Sequence, residues 1–145
     1  MLWLLALISG ALIPVQAAAN AALSKAINGN VPFSALTLFA VAGITTALGT
    51  LLTGREVPNA AAFAAAPWWS YIGGLIVAFY VFTITFLAPR LGVGSAVSLI
   101  VTGQVMAAVA IDHFGLMRSL LVPLTPSRLL GATLMVLGAF LALRR

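Results

Sequence analysis

The sequence predicts an all-α integral membrane protein with five transmembrane helices, and three observations lead there. Of 145 residues, 63% are hydrophobic and only 6% charged, where a water-soluble domain carries about a quarter charged residues. The mean hydropathy is +1.18. The apolar residues gather into five stretches, 2–27, 32–52, 68–88, 93–114 and 127–143, and about 20 apolar residues suffice to cross a hydrocarbon core of about 30 Å. These stretches use nearly the whole chain as one membrane domain, with no sequence repeat dividing it.

Ser9, Gln16 and Asn20 interrupt the first stretch before it reaches Ser24 and Lys25. A signal peptide competes with a spanning helix here, because VQA followed by AANA resembles a small-residue cleavage site. The amino end lacks Lys or Arg, however, and the apolar run continues past that site, which favours the span. Pro14 cannot donate to the carbonyl of Gly10 and is expected to kink the helix or free that oxygen, a break that membrane helices tolerate where neighbours satisfy the group. After the turn-prone Asn28-Gly29-Asn30, Pro32 suits the first turn of the second helix, whose hydroxyls are Ser34, Thr37, Thr45, Thr46 and Thr50.

The longest connection, 53–67, contains Arg55, Glu56, Pro58 and the alanine-rich AAAFAAAP, and is expected to form a short interfacial helix. Trp68 and Trp69 open the third span as headgroup-level anchors. Pro89, Arg90 and Gly92 predict a tight connection into the fourth span, and a second loop, 116–127, carries Arg118, Pro123 and Pro126. Only fifteen residues separate Arg128 from Arg144, roughly 22 Å of helix. Either those arginines snorkel, or the fifth helix begins before Arg128.

The polar residues exclude several classes. With no cysteine and the single His113, there is no disulfide framework, thiolate metal site or histidine cluster. No Ser-His-Asp spacing, catalytic carboxylate pair or phosphate-cradling glycine loop is present, so neither an enzyme nor a cofactor is expected. The net charge of +5 comes from seven scattered basic residues, which predict no nucleic-acid partner and are better treated as topology signals. With five crossings, one side holds Arg55, Arg118 and Arg128 and the other Lys25, Arg90, Arg144 and Arg145. Three against four is almost no bias for setting orientation. Insertion both ways, and hence an antiparallel homodimer, satisfies that balance, since many transporters are built from two inverted units with the substrate between them. One fixed orientation weakly set by Arg144 and Arg145 is the alternative. Gly131 and Gly138, seven apart on one face of the fifth helix, could let backbones approach closely within or between chains, and Gly73 and Gly74 could do the same on the third.

Counting inward from the boundaries, Gln16, Thr45 or Thr46, Tyr80 and Gln104 fall near the bilayer centre on four helices. Polar residues at that depth usually face a cavity or bundle interior and mark a substrate path, although Gln and Thr also bond helices together for about 0.6 to 2 kcal/mol. Gln16 and Gln104 are the better binding candidates, each beside a backbone-opening residue, Pro14 or Gly103. For the threonines and Tyr80 packing is the favoured reading. Asn20, four residues from Gln16, extends that polar wall towards Lys25. Asp112 lies about 28 Å along the fourth helix, near a boundary, where it could couple ion movement or pair with Arg118 or Arg128; His113 shares that ambiguity. Without a midplane acid, a neutral or amphiphilic solute or uncoupled movement fits better than proton-driven exchange of organic cations.

The pattern Pro14-x-Gln16-x-x-x-Asn20, PWWSYIGG at 67–74, APRLGVGSA at 88–96, Gly103-Gln104, Asp112-His113-Phe114-Gly115, and the late Gly131 and Gly138 resemble the short YdcZ-type family. Those are five-helix bacterial inner-membrane proteins of the drug/metabolite transporter superfamily. The resemblance spans almost the whole chain and implies half of a ten-helix transporter, working as an antiparallel pair with itself or a related chain. More distantly, the chain is similar to the four-helix small multidrug resistance proteins, whose last helix carries a glycine dimer motif. Those carry a membrane-embedded glutamate in the first helix, where this chain has Gln16 and Asn20, so drug/proton antiport does not transfer. The expectation is therefore a transporter subunit binding a small or amphiphilic solute through Gln16, Asn20, Tyr80 and Gln104; the alternative is a non-transporting scaffold whose polar layer merely joins helices.

Overall fold

A computed structural model describes residues 2–54 and 57–143. Arg55, Arg144 and Arg145, three of the charges in the orientation count, lie outside the described residues. The chain is helical throughout: α1 (Leu2–Ala26), α2 (Val31–Leu52), α3 (Ala60–Ala64), a 3-10 turn at Trp68–Ile72 leading into α4 (Gly73–Leu91), α5 (Val93–Phe114) and α6 (Pro126–Leu143). Among the described residues five helical segments are long and apolar enough to cross a membrane: α1, α2, Trp68–Leu91, α5 and α6. Large apolar side chains lie open along them, as Leu4 at 64%, Leu48 at 56%, Phe79 at 73% and Leu134 at 58% exposure. In water such surfaces would aggregate; in a bilayer they face acyl chains or other helices, while each helix satisfies its own backbone.

The chain divides into two compact units, residues 1–86 and 87–145, with the division inside α4. In the first unit α1 stays helical through Pro14. It ends where Asn28 takes a left-handed conformation (φ 60°) and the Gly29 N–H donates back to the Ser24 carbonyl at 2.8 Å, the closing bond of a Schellman cap. Asn30 then caps α2, its Oδ1 accepting from the Phe33 N–H at 3.0 Å, with Pro32 in the first turn. Small residues let this hairpin close: Ala17, Ser24, Ser34 and Ala35 are buried. From α4, Val81, Ile84 and Thr85 are buried too, an i, i+3, i+4 stripe on one helical face. The expected short helix in the long connection is α3, capped by Asn59 and tied down by the Tyr71 hydroxyl, which donates to the Phe63 carbonyl at 2.6 Å.

In the second unit α5 and α6 pack together, with Ala96 and Ala139 buried. One boundary differs from expectation. The predicted connection at Pro89, Arg90 and Gly92 is Gly92 alone, because α4 continues to Leu91. A proline in the last turn deprives only one carbonyl of its donor, and the turn still closes through the Gly92 N–H on Ala88, 3.0 Å. The chain breaks at Gly92 (φ 83°, ψ 146°), a conformation essentially reserved for glycine. Of the two readings of the short fifth span, the helix does start before Arg128: Thr125 precedes it and its Oγ1 accepts from the Arg128 N–H at 3.3 Å, with Pro126 at the first helical position. Its 18 residues reach about 27 Å.

Candidate functional site

In the first unit, α1 and α2 enclose an open groove of about 360 Å³ to which Gln16 and Asn20 both contribute, together with Thr37 and apolar residues such as Leu23, Leu38 and Val41. The four-residue spacing puts the two carboxamides on one face. Gln16 is half-buried. Asn20 is only 5% exposed and holds three helices together: its carbonyl accepts from the Ser34 hydroxyl on α2 at 2.9 Å, and its Nδ2 reaches the Thr85 Oγ1 on α4 at 3.5 Å. Ser34 and Thr85 are themselves almost wholly buried. These two partners were not singled out from sequence. A signal existed in the spacing, since Ala17, Asn20 and Ser24 form one helical stripe and Val81, Ile84, Thr85 and Ala88 another, but nothing local says which stripes meet.

Tyr80, on α4, is half-buried and does not line that groove. Gln104, in the second unit, projects from α5 with an exposed side chain. Thr45 and Thr46 are exposed and, against the expectation of interhelical bonds, the Thr45 hydroxyl donates to the Val41 carbonyl of its own helix at 2.8 Å. Thr37, Thr50, Thr102 and Thr133 turn back in the same way. A hydroxyl facing an apolar medium finds its nearest acceptor one turn earlier, so no neighbouring helix is needed.

Asp112 and Arg128 of the second unit lie at one end of the helix pair, where α5 finishes and α6 begins. Arg128 donates through Nη2 to Asp112 Oδ2 at 2.7 Å and through Nη1 to the Val122 carbonyl at 3.1 Å. Both partners of the ion pair are about one-third exposed, at 32% and 33%. The loop folds back over the same end: the Val122 N–H donates to the Asp112 carbonyl at 2.9 Å, Ser119 donates to the Ile111 carbonyl at 3.2 Å, and the Leu124 N–H donates to His113 Nδ1 at 3.1 Å. His113 also meets the Phe114 ring edge-on, 4.8 Å between centroids. Gly115 makes the reversal possible, with φ 59° and the Leu121 Cδ1 at 3.2 Å from where a Cβ would stand. Arg118 is not the partner of Asp112.

Gly138 lines a smaller, largely apolar cleft of about 230 Å³ between α5 and α6, beside Ser98, Thr102 and Met135. A Cβ at Gly131, Gly138, Gly73 or Gly74 would meet no atom within 4 Å, so close packing among the described residues does not require those glycines. No group of three or more His, Asp or Glu side chains that could hold a metal occurs among the described residues.

Five apolar helices, an uncharged polar groove and charges kept to helix ends define a multi-pass helical membrane protein. The chain matches the family described as "Putative inner membrane exporter, YdcZ" over residues 1–141, and it belongs to that family. It is accordingly a multi-pass inner-membrane protein of an exporter family, a transporter class rather than an enzyme class. No curated protein and no solved structure matches it.

Proposed function

We propose that this chain is one half of a transporter of the drug/metabolite superfamily, pairing antiparallel with a second copy or a related chain, and that the pair moves a small or amphiphilic uncharged solute by alternating access. The carrying observation is the α1–α2 groove, where Gln16 and Asn20 bring two carboxamides and no charge to a mostly apolar surface. Gln16 lies about 15 Å from the Ala26 end of its helix and Gln104 about 16 Å from the Val93 end of its own, both close to half the depth of a bilayer core. Tyr80 is at comparable depth on α4. These four side chains are assigned to solute binding in a midplane cavity between two chains. The near balance of basic residues supports insertion in both orientations, and the open faces at Gly131 and Gly138 leave room for a partner helix. In an inverted pair of identical chains the two access states are related by symmetry and equal in energy without a gradient, so rocking of one chain against the other exchanges them.

The scaffold alternative draws on the Asn20 bonds to α2 and α4, which join helices without any solute. Release from liposomes loaded with a mixture of uncharged alcohols and amides, read by mass spectrometry, separates the two. A transporter releases solute faster than protein-free liposomes do, and Gln104→Leu lowers that rate while the protein remains dimeric; a scaffold releases nothing in either form. Reporters fused to the carboxyl terminus are expected on both sides of the membrane, and signal from one side only would sink dual insertion.

A further inference from the structure

We propose that the α1–α2 groove binds the polar end of an uncharged amphiphile, an alcohol or carboxamide carried on an alkyl chain, through the carboxamides of Asn20 and Gln16. This names the substrate class for the transport reading above and rests on it for its role in the membrane. The argument begins with one atom. Asn20 is 5% exposed, its Nδ2 is engaged by Thr85, and no donor among the described residues meets its Oδ1. No fully buried side-chain nitrogen or oxygen among the described residues lacks a partner, so Oδ1 is the part of Asn20 left accessible, and Asn20 lines the groove. A nearly buried carboxamide with one end fixed by the protein and the other free presents a hydrogen-bonding group at a fixed place. If the amide is turned over, Thr85 donates instead and Nδ2 takes the same place.

One turn away, Gln16 brings a second carboxamide that makes no hydrogen bond among the described residues, so the pair offers both donors and acceptors to one guest. Thr37 adds only acceptor capacity, since its hydroxyl proton is committed to the Phe33 carbonyl at 2.9 Å. The remaining wall is apolar: Ala19, Leu23, Leu38 and Val41. Along α1 the groove runs from about 5 Å to about 15 Å below the Ala26 end, deep enough that water is scarce. Each class of guest is then judged by what it would leave unpaired. A cation would be buried with no carboxylate beside it, a carboxylate with no basic group, and both are costly. A plain hydrocarbon would leave the Gln16 carboxamide and the free end of Asn20 dry. A hydroxyl or amide head gives and accepts at once, and its alkyl tail covers the apolar wall.

The test uses the full chain in lipid nanodiscs with three photoreactive probes of equal length: a diazirine-bearing octanol, the corresponding octylammonium and the corresponding octane. The octanol is expected to label peptides within residues 16–42 at least about fivefold more than either of the others, to be displaced by unlabelled 1-octanol, and to lose at least about fivefold of that labelling in Gln16→Leu. Asn20→Leu should act likewise, but Asn20 also joins helices, so Gln16→Leu, which removes no bond within the protein, is the decisive variant. Equal labelling by the octane would mean that lipid tails or a partner helix fill the groove and would overturn the proposal. So would preference for the ammonium, or octanol labelling unchanged by Gln16→Leu. Liposome flux on the same preparation keeps the two readings apart: selective labelling without release removes the transport reading and leaves the site, and release without selective labelling does the reverse.

Discussion

The two units handle polar groups in opposite ways. In the first, Asn20, Ser34 and Thr85 are buried between three helices and carry no charge. In the second, Asp112 and Arg128 carry full charges but sit at the helix ends, each about one-third exposed. The difference follows from what a low-dielectric medium charges for each kind of group. A neutral amide or hydroxyl can be buried at modest cost once it is hydrogen-bonded, whereas an ion loses far more solvation and stays where water and headgroups still reach it. The neutral cluster can therefore shape a groove deep in the membrane, while the ion pair works as a clasp at the rim, holding α5, α6 and their connecting loop.

The largest expected effect on stability is at the clasp. Asp112→Ala removes a charge-assisted bond and leaves Arg128 inside the first turn of α6 with only the Val122 carbonyl; a loss of about 2 kcal/mol is expected, above the values for fully exposed ion pairs and in the lower part of the range for hydrogen bonds to charged groups. Unfolding in mixed micelles would show it. Because both partners are partly solvated, the loss should shrink towards 1 M salt, where the screening length is about 3 Å, and a double-mutant cycle with Arg128→Gln should return a coupling that falls with salt in parallel. A salt-independent coupling would mean that the pair is buried deeper than the rim and would erase the contrast between the units.

At the neutral cluster the expected loss is somewhat smaller and insensitive to salt. Asn20→Leu strands the Thr85 hydroxyl and is expected to cost about 1 to 2 kcal/mol, near the upper end for side-chain bonds between membrane helices. Thr85→Val and Ser34→Ala each remove one such bond, for about 0.6 kcal/mol, measured by the same unfolding assay. Salt dependence at any of the three positions would indicate that water reaches the cluster.

What was legible in sequence divides along the same line. Length and apolar content fix the existence of five spans, because the bilayer imposes a minimum run that few other structures need. The pairing of Gln16 with Asn20 was also legible, being a matter of helical spacing within one element. Partners across elements were not: Asn20 and Thr85 stand 65 residues apart, and no local pattern ranks Thr85 above Thr45. One boundary failed, where a strong local signal met a weaker requirement than expected. Pro89 reads as a helix stop, yet in a final turn it removes one bond and the helix continues; the left-handed Gly92 is the true break.

The smallest expected effect is the most informative about why threonines mislead. Thr45 lies at mid-length of α2 and looked like a crosslink at the bilayer centre. It is exposed, and its hydroxyl already has the Val41 carbonyl at 2.8 Å. That carbonyl also serves the helix backbone, so losing the hydroxyl leaves no group unsatisfied. Thr45→Val keeps the branched shape, removes a bond that competes weakly with the helix, and should change stability by under about 0.5 kcal/mol, as substitutions away from packed features do. A loss comparable to that of Thr85→Val would place a partner against this face of α2, because only a contact absent from the single chain could turn a self-satisfied hydroxyl into a structural one. The two threonines, chemically identical and both mid-helix, thus report whether their helix faces end at lipid or at protein.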